Sequence, residues 1–224
     1  TTELLLKSVT NTTSLPIICD PAFNKLILLK LSIDVAYDSN VQKTISTLNN
    51  LSQLKTLIFD VVGDATDLIQ NIKLPSSLKA LDLTFQLKLN SLIQNDKLIK
   101  EYDAEIKKKN GTQPWKDFNL FEEDPNFENI LKQFENLTGL HSLKLAIDHL
   151  DGYRPYYTNF YISLIKRIPK LNCLFIEANC SAVRDFKKQQ KNMYFDLRYF
   201  INSLDLSKLT ELTVIARSEE HTSE

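Results

Sequence analysis

The 224-residue sequence has little of what disulfide-linked, phosphate-binding and membrane-spanning proteins depend on. Its three cysteines are too few for a disulfide framework, and none forms a Cys-x-x-Cys pair. Four glycines leave little room for a Gly-rich phosphate loop, and no apolar run approaches the ~20 residues that span a bilayer. The G-x-S-x-G and H-E-x-x-H motifs are also absent. We therefore expect no enzyme, no metal site, no cofactor and no small-molecule substrate.

Charge of one sign is also lacking, because the net charge is only −1. No global field would attract nucleic acid or an anionic membrane. The first eight residues lack the basic start of a signal peptide, which favours a cytoplasmic protein, with the nucleus as the alternative. Lysine outnumbers arginine 22 to 5, and this bias is typical of AT-rich genomes such as those of protists.

The last eight residues, 217–224, break the pattern of the preceding chain. Their sequence, RSEEHTSE, resembles the translation of a common sequencing-adapter oligonucleotide. We expect this segment to be a non-native tail and the natural protein to continue beyond Ala216.

Leucine is abundant, at 36 of the 224 positions, and its spacing changes regularly along the chain. Between residues 45 and 57, and again between 131 and 143, apolar residues recur every third position. They then recur every second position. A step of three or four keeps side chains on one face of a helix or loop, whereas a step of two keeps them on one face of a strand. The switch predicts six strands, which open at Leu29, Leu57, Leu81, Leu143, Leu174 and Leu212.

Three predicted helices precede the last three of these strands. Each has an apolar stripe at positions i, i+3, i+4 and i+7, which must pack against another element. The stripes are Phe127, Ile130, Leu131 and Phe134; Tyr161, Leu164, Ile165 and Ile168; and Leu197, Phe200, Ile201 and Leu204. Repeated helix–strand units favour an α/β fold with a parallel sheet and helices on one face.

Four segments, LSQLKTLIF, LPSSLKALDL, LTGLHSLKL and IPKLNCLFI, resemble the LxxLxxLxL core of leucine-rich repeats. The resemblance covers most of residues 15–216. The Asn that usually follows the strand in this family has one clear match, at Asn179, so the longer, helix-containing type of ribonuclease-inhibitor-like proteins fits best. The resemblance implies a leucine-rich-repeat solenoid, with a curved parallel sheet on its concave side and helices on its convex side. Residues 1–216 would form a single domain.

One gap of 62 residues interrupts the spacing of the predicted strands, which is otherwise 24 to 38 residues. Residues 87–124 fill most of this gap, and we interpret them as an insertion that projects from one repeat. A degenerate seventh repeat is the alternative. Three aromatic residues of this segment, Trp115, Phe118 and Phe121, are a possible second binding surface, although such a cluster more often fastens a loop to the body of a protein.

The residues between the strand leucines would line the concave face of such a solenoid. Five of the six strands place a carboxylate there, at Asp34, Asp60, Asp82, Asp148 and Glu177. Lys30, Thr84, Lys144 and Phe175 share this face. The carboxylates either keep the sheet soluble or form an acidic strip, in which neighbours reinforce each other's field, for a basic segment of a partner.

The resulting functional prediction is a non-enzymatic scaffold that binds another protein along the concave face. The alternative is the substrate-recognition arm of a larger enzyme, such as an F-box ubiquitin-ligase receptor or a kinase-linked repeat protein. That alternative rests on analogy at the level of the fold.

Overall fold

The computed structural model describes residues 3–9, 23–34, 48–87, 125–149, 157–180 and 197–218, together with residues 100, 101, 104 and 108. These residues form an α/β fold with one seven-stranded sheet, in which all strands are parallel and lie in sequence order. The strands are β1 (Glu3–Val9), β2 (Leu28–Asp34), β3 (Thr56–Asp64), β4 (Ala80–Leu87), β5 (Ser142–His149), β6 (Cys173–Cys180) and β7 (Glu211–Ser218). Four α-helices have bounds within the described residues, namely α1 (Thr66–Asn71), α2 (Pro125–Glu135), α3 (Tyr157–Lys166) and α4 (Leu197–Ser203).

The six predicted strand-opening leucines lie side by side in one continuous register across β2 to β7. Leu29 is the register partner of Leu57, which pairs with Leu81, and the series continues through the openings of β5, β6 and β7. The prediction of six aligned parallel strands is therefore confirmed. A strand, its preceding helical or looped segment and their connection are called a unit below.

The number of strands was predicted one too low, because β1 also joins the sheet. Leu4 of this strand is the register partner of Leu29. The strand lacks a preceding run of leucines at steps of three, and its three consecutive leucines hide the alternation that marks the other strands. Sequence spacing alone therefore had no signal for it.

Side-chain burial alternates along the strands, as a sheet with one covered face requires. The strand-opening leucines of β2 to β6 are at most 3% exposed, and the residues two and four positions after them are also buried. The buried apolar side chains of all four helices belong to the same hydrophobic core. Within that core, Phe127 of α2 packs against Phe160 of α3 with ring centroids 5.0 Å apart.

The three predicted helical stripes differ in outcome. The stripe of α2 is confirmed, because all four of its residues are buried. The four residues of the second stripe are also buried, but burial in α3 is not one-sided, because residues 157–162 are all buried, including Thr158 and Asn159. The prediction is wrong for Leu197 of α4, which is 42% exposed. A central helix has neighbours on several sides, whereas α4 belongs to the last described unit.

A helix that the leucine spacing did not predict, α1, follows β3 directly. Asp64, two residues before the helix, caps its first backbone N–H, because its Oδ1 atom accepts a hydrogen bond from Thr66 at 3.1 Å. Gly63 precedes it with a φ of 92°, a left-handed conformation that favours glycine. Leu68 and Ile69 then bury α1 in the core. The sequence signal was present in this capping pair and in the apolar residues that follow it.

The predicted insertion at 87–124 lies mostly outside the described residues. Leu87, at the approximate start of this segment, is the buried last residue of β4. Lys100, Glu101, Ala104 and Lys108, within this segment, are helical and exposed. Arg217 and Ser218, the first residues of the predicted tail, end β7, and residues 219–224 lie outside the described residues. Within the described part of the chain, every helix is too short or too polar to cross a bilayer.

Candidate functional site

One face of the sheet carries all nine of the residues that the sequence predicts for the concave binding surface. They occupy the alternate strand positions opposite the core, and we call this surface the polar face. Its predicted members are Lys30, Asp34, Asp60, Asp82, Thr84, Lys144, Asp148, Phe175 and Glu177. Each is half-buried or exposed, whereas the residues between them are buried. The prediction that these residues share a face is therefore confirmed, while their role in binding stays a prediction.

Strand register arranges the polar face in rows that cross the strands. The first row contains Lys30, Ile58, Asp82, Lys144, Phe175 and Thr213. The second row contains Ser32, Asp60, Thr84, Ala146, Glu177 and Ile215. Asp34 and Asp148 lie two residues further along their strands, next to Val62 and Asn179 respectively. The acidic residues thus lie at three levels along the strands, which are the first row, the second row and the positions of Asp34 and Asp148.

The expectation that neighbouring carboxylates form one acidic strip is wrong in detail, because no two of the five are register partners. Asp60, for example, lies between Ser32 and Thr84, and Asp82 lies between Ile58 and Lys144. The reason is that the carboxylates follow their strand-opening leucines by one, three or five positions. Sequence spacing identified the correct face but did not consider these levels.

The carboxylates instead form two diagonals. Asp34, Asp60 and Asp82 descend one level at each successive strand, from β2 to β4. Asp148 and Glu177 repeat this descent from β5 to β6. With parallel strands ~4.8 Å apart and ~6.6 Å between alternate residues, neighbours within a diagonal are about 8 Å apart. Corresponding residues of the two diagonals are three strands apart, which is about 14 Å.

Electrostatic reinforcement within a diagonal is modest, since about 8 Å equals the Debye length at physiological ionic strength. The polar face nevertheless carries five carboxylates and only two lysines among its nine predicted members, an excess of three negative charges. A surface with this balance attracts cations when ionic strength is low. The attraction would weaken as salt increases.

Lys144 separates the two acidic diagonals and is held by its row neighbours. Its Nζ atom lies 3.3 Å from Oδ2 of Asp82 and 5.4 Å from the centroid of the Phe175 ring. The side chains of Lys144 and Asp82 are 43% and 28% exposed, so the pair is worth only about 0–1 kcal/mol. Its main consequence is that Lys144 partly neutralises the first diagonal at Asp82.

Asp60 makes a long contact with its row neighbour Ser32. The Ser32 hydroxyl donates to Oδ2 of Asp60 at 3.4 Å, near the limit of a hydrogen bond. Ile58, one row below, adds an apolar side chain beside the carboxylate. Ile58 was not predicted as a site residue, although its alternate position places it on the same face.

Gln86 is a second polar-face residue that the prediction omitted. Its Oε1 atom accepts a hydrogen bond from the backbone N–H of Gly63 at 3.0 Å, so it joins the ends of β4 and β3. The alternation that identified Asp82 and Thr84 also marks Gln86, two positions further along. Its side chain is used within the fold, which makes it a weaker binding candidate.

The predicted second surface, Trp115, Phe118 and Phe121, lies outside the described residues. Within the described part of the chain, no cluster of three His, Cys, Asp or Glu side chains could hold a metal ion. No protein-family model matches the chain, and neither a curated protein nor a solved structure is detectably similar to it.

Proposed function

We propose that the chain is an irregular, helix-containing leucine-rich-repeat solenoid that acts as a non-enzymatic scaffold for another protein. The observation that carries this proposal is the division of the sheet into two faces. Leucines in one register fill the core, and the alternate positions carry an excess of carboxylates on a face with half-buried or exposed side chains. The polar face would be the concave surface of the solenoid.

The partner that fits this face best is a basic segment in an extended conformation. Side chains at alternate positions of such a segment are about 6.6 Å apart, close to the spacing of about 8 Å within each acidic diagonal. Four residues of an extended segment span about 13 Å. This length is close to the distance of about 14 Å between corresponding residues of the two diagonals, so a segment extended by four residues reaches the second diagonal. Lysine and arginine side chains are long enough to accommodate the remaining differences.

A pair of synthetic peptides tests this proposal directly. One alternates lysine with serine and the other alternates glutamate with serine, and both are labelled for fluorescence anisotropy. We expect the protein to bind the lysine peptide, with an affinity that falls as salt increases, and not the glutamate peptide. Equal affinity for both peptides would contradict the proposal.

Substitutions on the polar face should change the affinity for the lysine peptide in opposite directions. Asp60→Lys combined with Glu177→Lys should weaken binding of the lysine peptide at least roughly tenfold, which corresponds to about 1.4 kcal/mol. Lys144→Gln should strengthen it, because the change frees Asp82 from its ion pair. Asp67→Lys, on the exposed surface of α1, is the matched control and should leave affinity close to that of the unmodified protein.

The natural partner can be sought with the same variants. Proteins captured by the unmodified chain and by Asp67→Lys, but lost with the Asp60→Lys and Glu177→Lys pair, would be partners of the polar face. If the two polar-face substitutions leave every captured protein unchanged, this face is not the binding surface.

A further inference from the structure

One aromatic side chain, that of Phe175, lies on the polar face. Among the polar-face positions of β2 to β7 that the structure describes, it is the only aromatic residue. Phe175 is half-buried, and Nζ of Lys144 lies 5.4 Å from the centroid of its ring. This distance is within the range of cation–π contacts, so the ring already accepts a cation from within the fold. The polar face therefore offers an aromatic ring to cations as well as carboxylates.

The side of the ring opposite Lys144 is turned toward β7. Lys144 is the register partner of Phe175 on β5, and Thr213 is its register partner on β7. Because Lys144 reaches the ring from β5, it leaves the side next to β7 uncovered. Thr213 is exposed and its side chain is short, so it leaves space for a second cation beside the ring.

Two carboxylates flank the ring on this side. Glu177 follows Phe175 by two residues on β6, which is about 6.6 Å. Glu211, the first residue of β7, is the register partner of Cys173 and therefore lies about 8 Å diagonally from Phe175. Glu211 is exposed, and it forms no ion pair within the described part of the chain. The ring thus lies between two carboxylates, one of which the sequence analysis did not select.

The first acidic diagonal lacks both the ring and the additional carboxylate. Ile58 occupies the position of the ring there, two residues before Asp60. Ala80 occupies the position of Glu211, one residue before the strand-opening leucine of the next strand. The two diagonals are therefore similar in their carboxylates but differ in the groups that surround them.

We propose that Phe175, Glu177 and Glu211 form an arginine-binding site on the polar face. The guanidinium group of a partner's arginine stacks on the side of the ring next to β7 and pairs with the flanking carboxylates. Arginine fits this site better than lysine, because its planar group both stacks on aromatic rings and presents several donors to carboxylates. This inference rests on the proposed binding of a basic segment and specifies the residue that the second diagonal prefers.

A comparison of two labelled peptides tests the site by fluorescence anisotropy. One alternates arginine with serine, and the other is the lysine peptide described above. We expect the unmodified protein to bind the arginine peptide at least about threefold more tightly. Phe175→Leu and Glu211→Gln should each remove most of this preference, whereas Phe175→Tyr, which keeps the ring, should retain it. Because Glu211 is exposed, Glu211→Gln tests the site without disturbing the core.

Two variants of the first diagonal are the matched controls. Ile58→Ala should leave the ratio of the two affinities unchanged, and Asp60→Asn should weaken binding of both peptides by the same factor. If Phe175→Leu and Glu211→Gln keep the ratio of the unmodified protein, or if Ile58→Ala lowers it equally, the arginine site is wrong. Binding of both peptides would in that case still support the polar face as a binding surface. If neither peptide binds, the proposed function fails together with the site.

Discussion

The β5 unit and the β7 unit share one leucine pattern but differ in burial. Leu137, Leu140 and Leu143 are fully buried, whereas Leu206 is 41% exposed and Leu209 and Leu212 are only partly buried. The β5 unit has a neighbour on each side, and the β7 unit has one among the described residues. The difference shows that the leucine motif creates the apolar surface, while adjacent units bury it. Position in the stack therefore decides how much each leucine contributes.

The largest expected effect comes from truncating corresponding leucines in these two units. Leu143→Ala removes a fully buried side chain and should reduce the free energy of unfolding by about 2–5 kcal/mol. Leu212→Ala, at the partly buried position in the same register series, should reduce it by about 1 kcal/mol. Urea denaturation of both variants and the unmodified protein gives the two values. Equal losses would show that burial by neighbours does not set the contribution.

Removal of an ion pair should also reduce the free energy of unfolding more in an inner unit than in an outer one, but the difference should be smaller than for the leucines. Arg167 lies 3.2 Å from Glu128 and 3.3 Å from Glu135, and so links the end of the α3 segment to α2. Arg167→Gln should reduce the free energy of unfolding by up to about 1 kcal/mol, and less at high salt. Lys208→Gln removes an exposed pair with Asp205 within one turn and should reduce the free energy of unfolding by less than Arg167→Gln does. A larger loss for Lys208→Gln in salt-dependent denaturation would contradict this ranking.

The smallest effect concerns the pH dependence of the last unit. Hydrogen bonds from Ser207, with a contribution from Lys208, hold the pKa of Asp205 below its ordinary value of 3.8. A lowered pKa in the folded state stabilises the fold above pH 3.8, and this stabilisation is lost as pH falls through the folded-state pKa. Asp205→Asn should therefore be slightly less stable than the unmodified protein at pH 7, and the gap should close in acid. A difference in the free energy of unfolding between the two proteins that stays constant from pH 7 to pH 2 would contradict this effect of Asp205.

Sequence spacing predicted the parts of the fold that depend on local periodicity. The steps from three to two located β2 through β7, and the stripe of Phe127, Ile130, Leu131 and Phe134 located α2. Burial around α3 and exposure of Leu197 depend on which elements surround each helix. That information is tertiary, and no periodicity within a single helix contains it.

The candidate site shows the same limit. Alternation along each strand identified the residues of the polar face, because a side chain's face depends only on its position in its own strand. The two diagonals depend on register between strands, which brings Asp82 next to Lys144 from 62 positions away. The sequence therefore predicted the composition of the surface but not its pattern of charge.

A disulfide between adjacent strands tests the central claim, namely that successive strands lie side by side in one leucine register. Ser142 and Cys173 are register partners in β5 and β6, about 4.8 Å apart, which lies within the Cα separation of disulfides. With Cys19 and Cys180 replaced by serine, Ser142→Cys should form a bond with Cys173 under mild oxidation. Lys144→Cys, two residues further along the same strand, should remain largely reduced. If Lys144→Cys is oxidised as readily as Ser142→Cys, or if Ser142→Cys stays reduced, the proposed register is wrong.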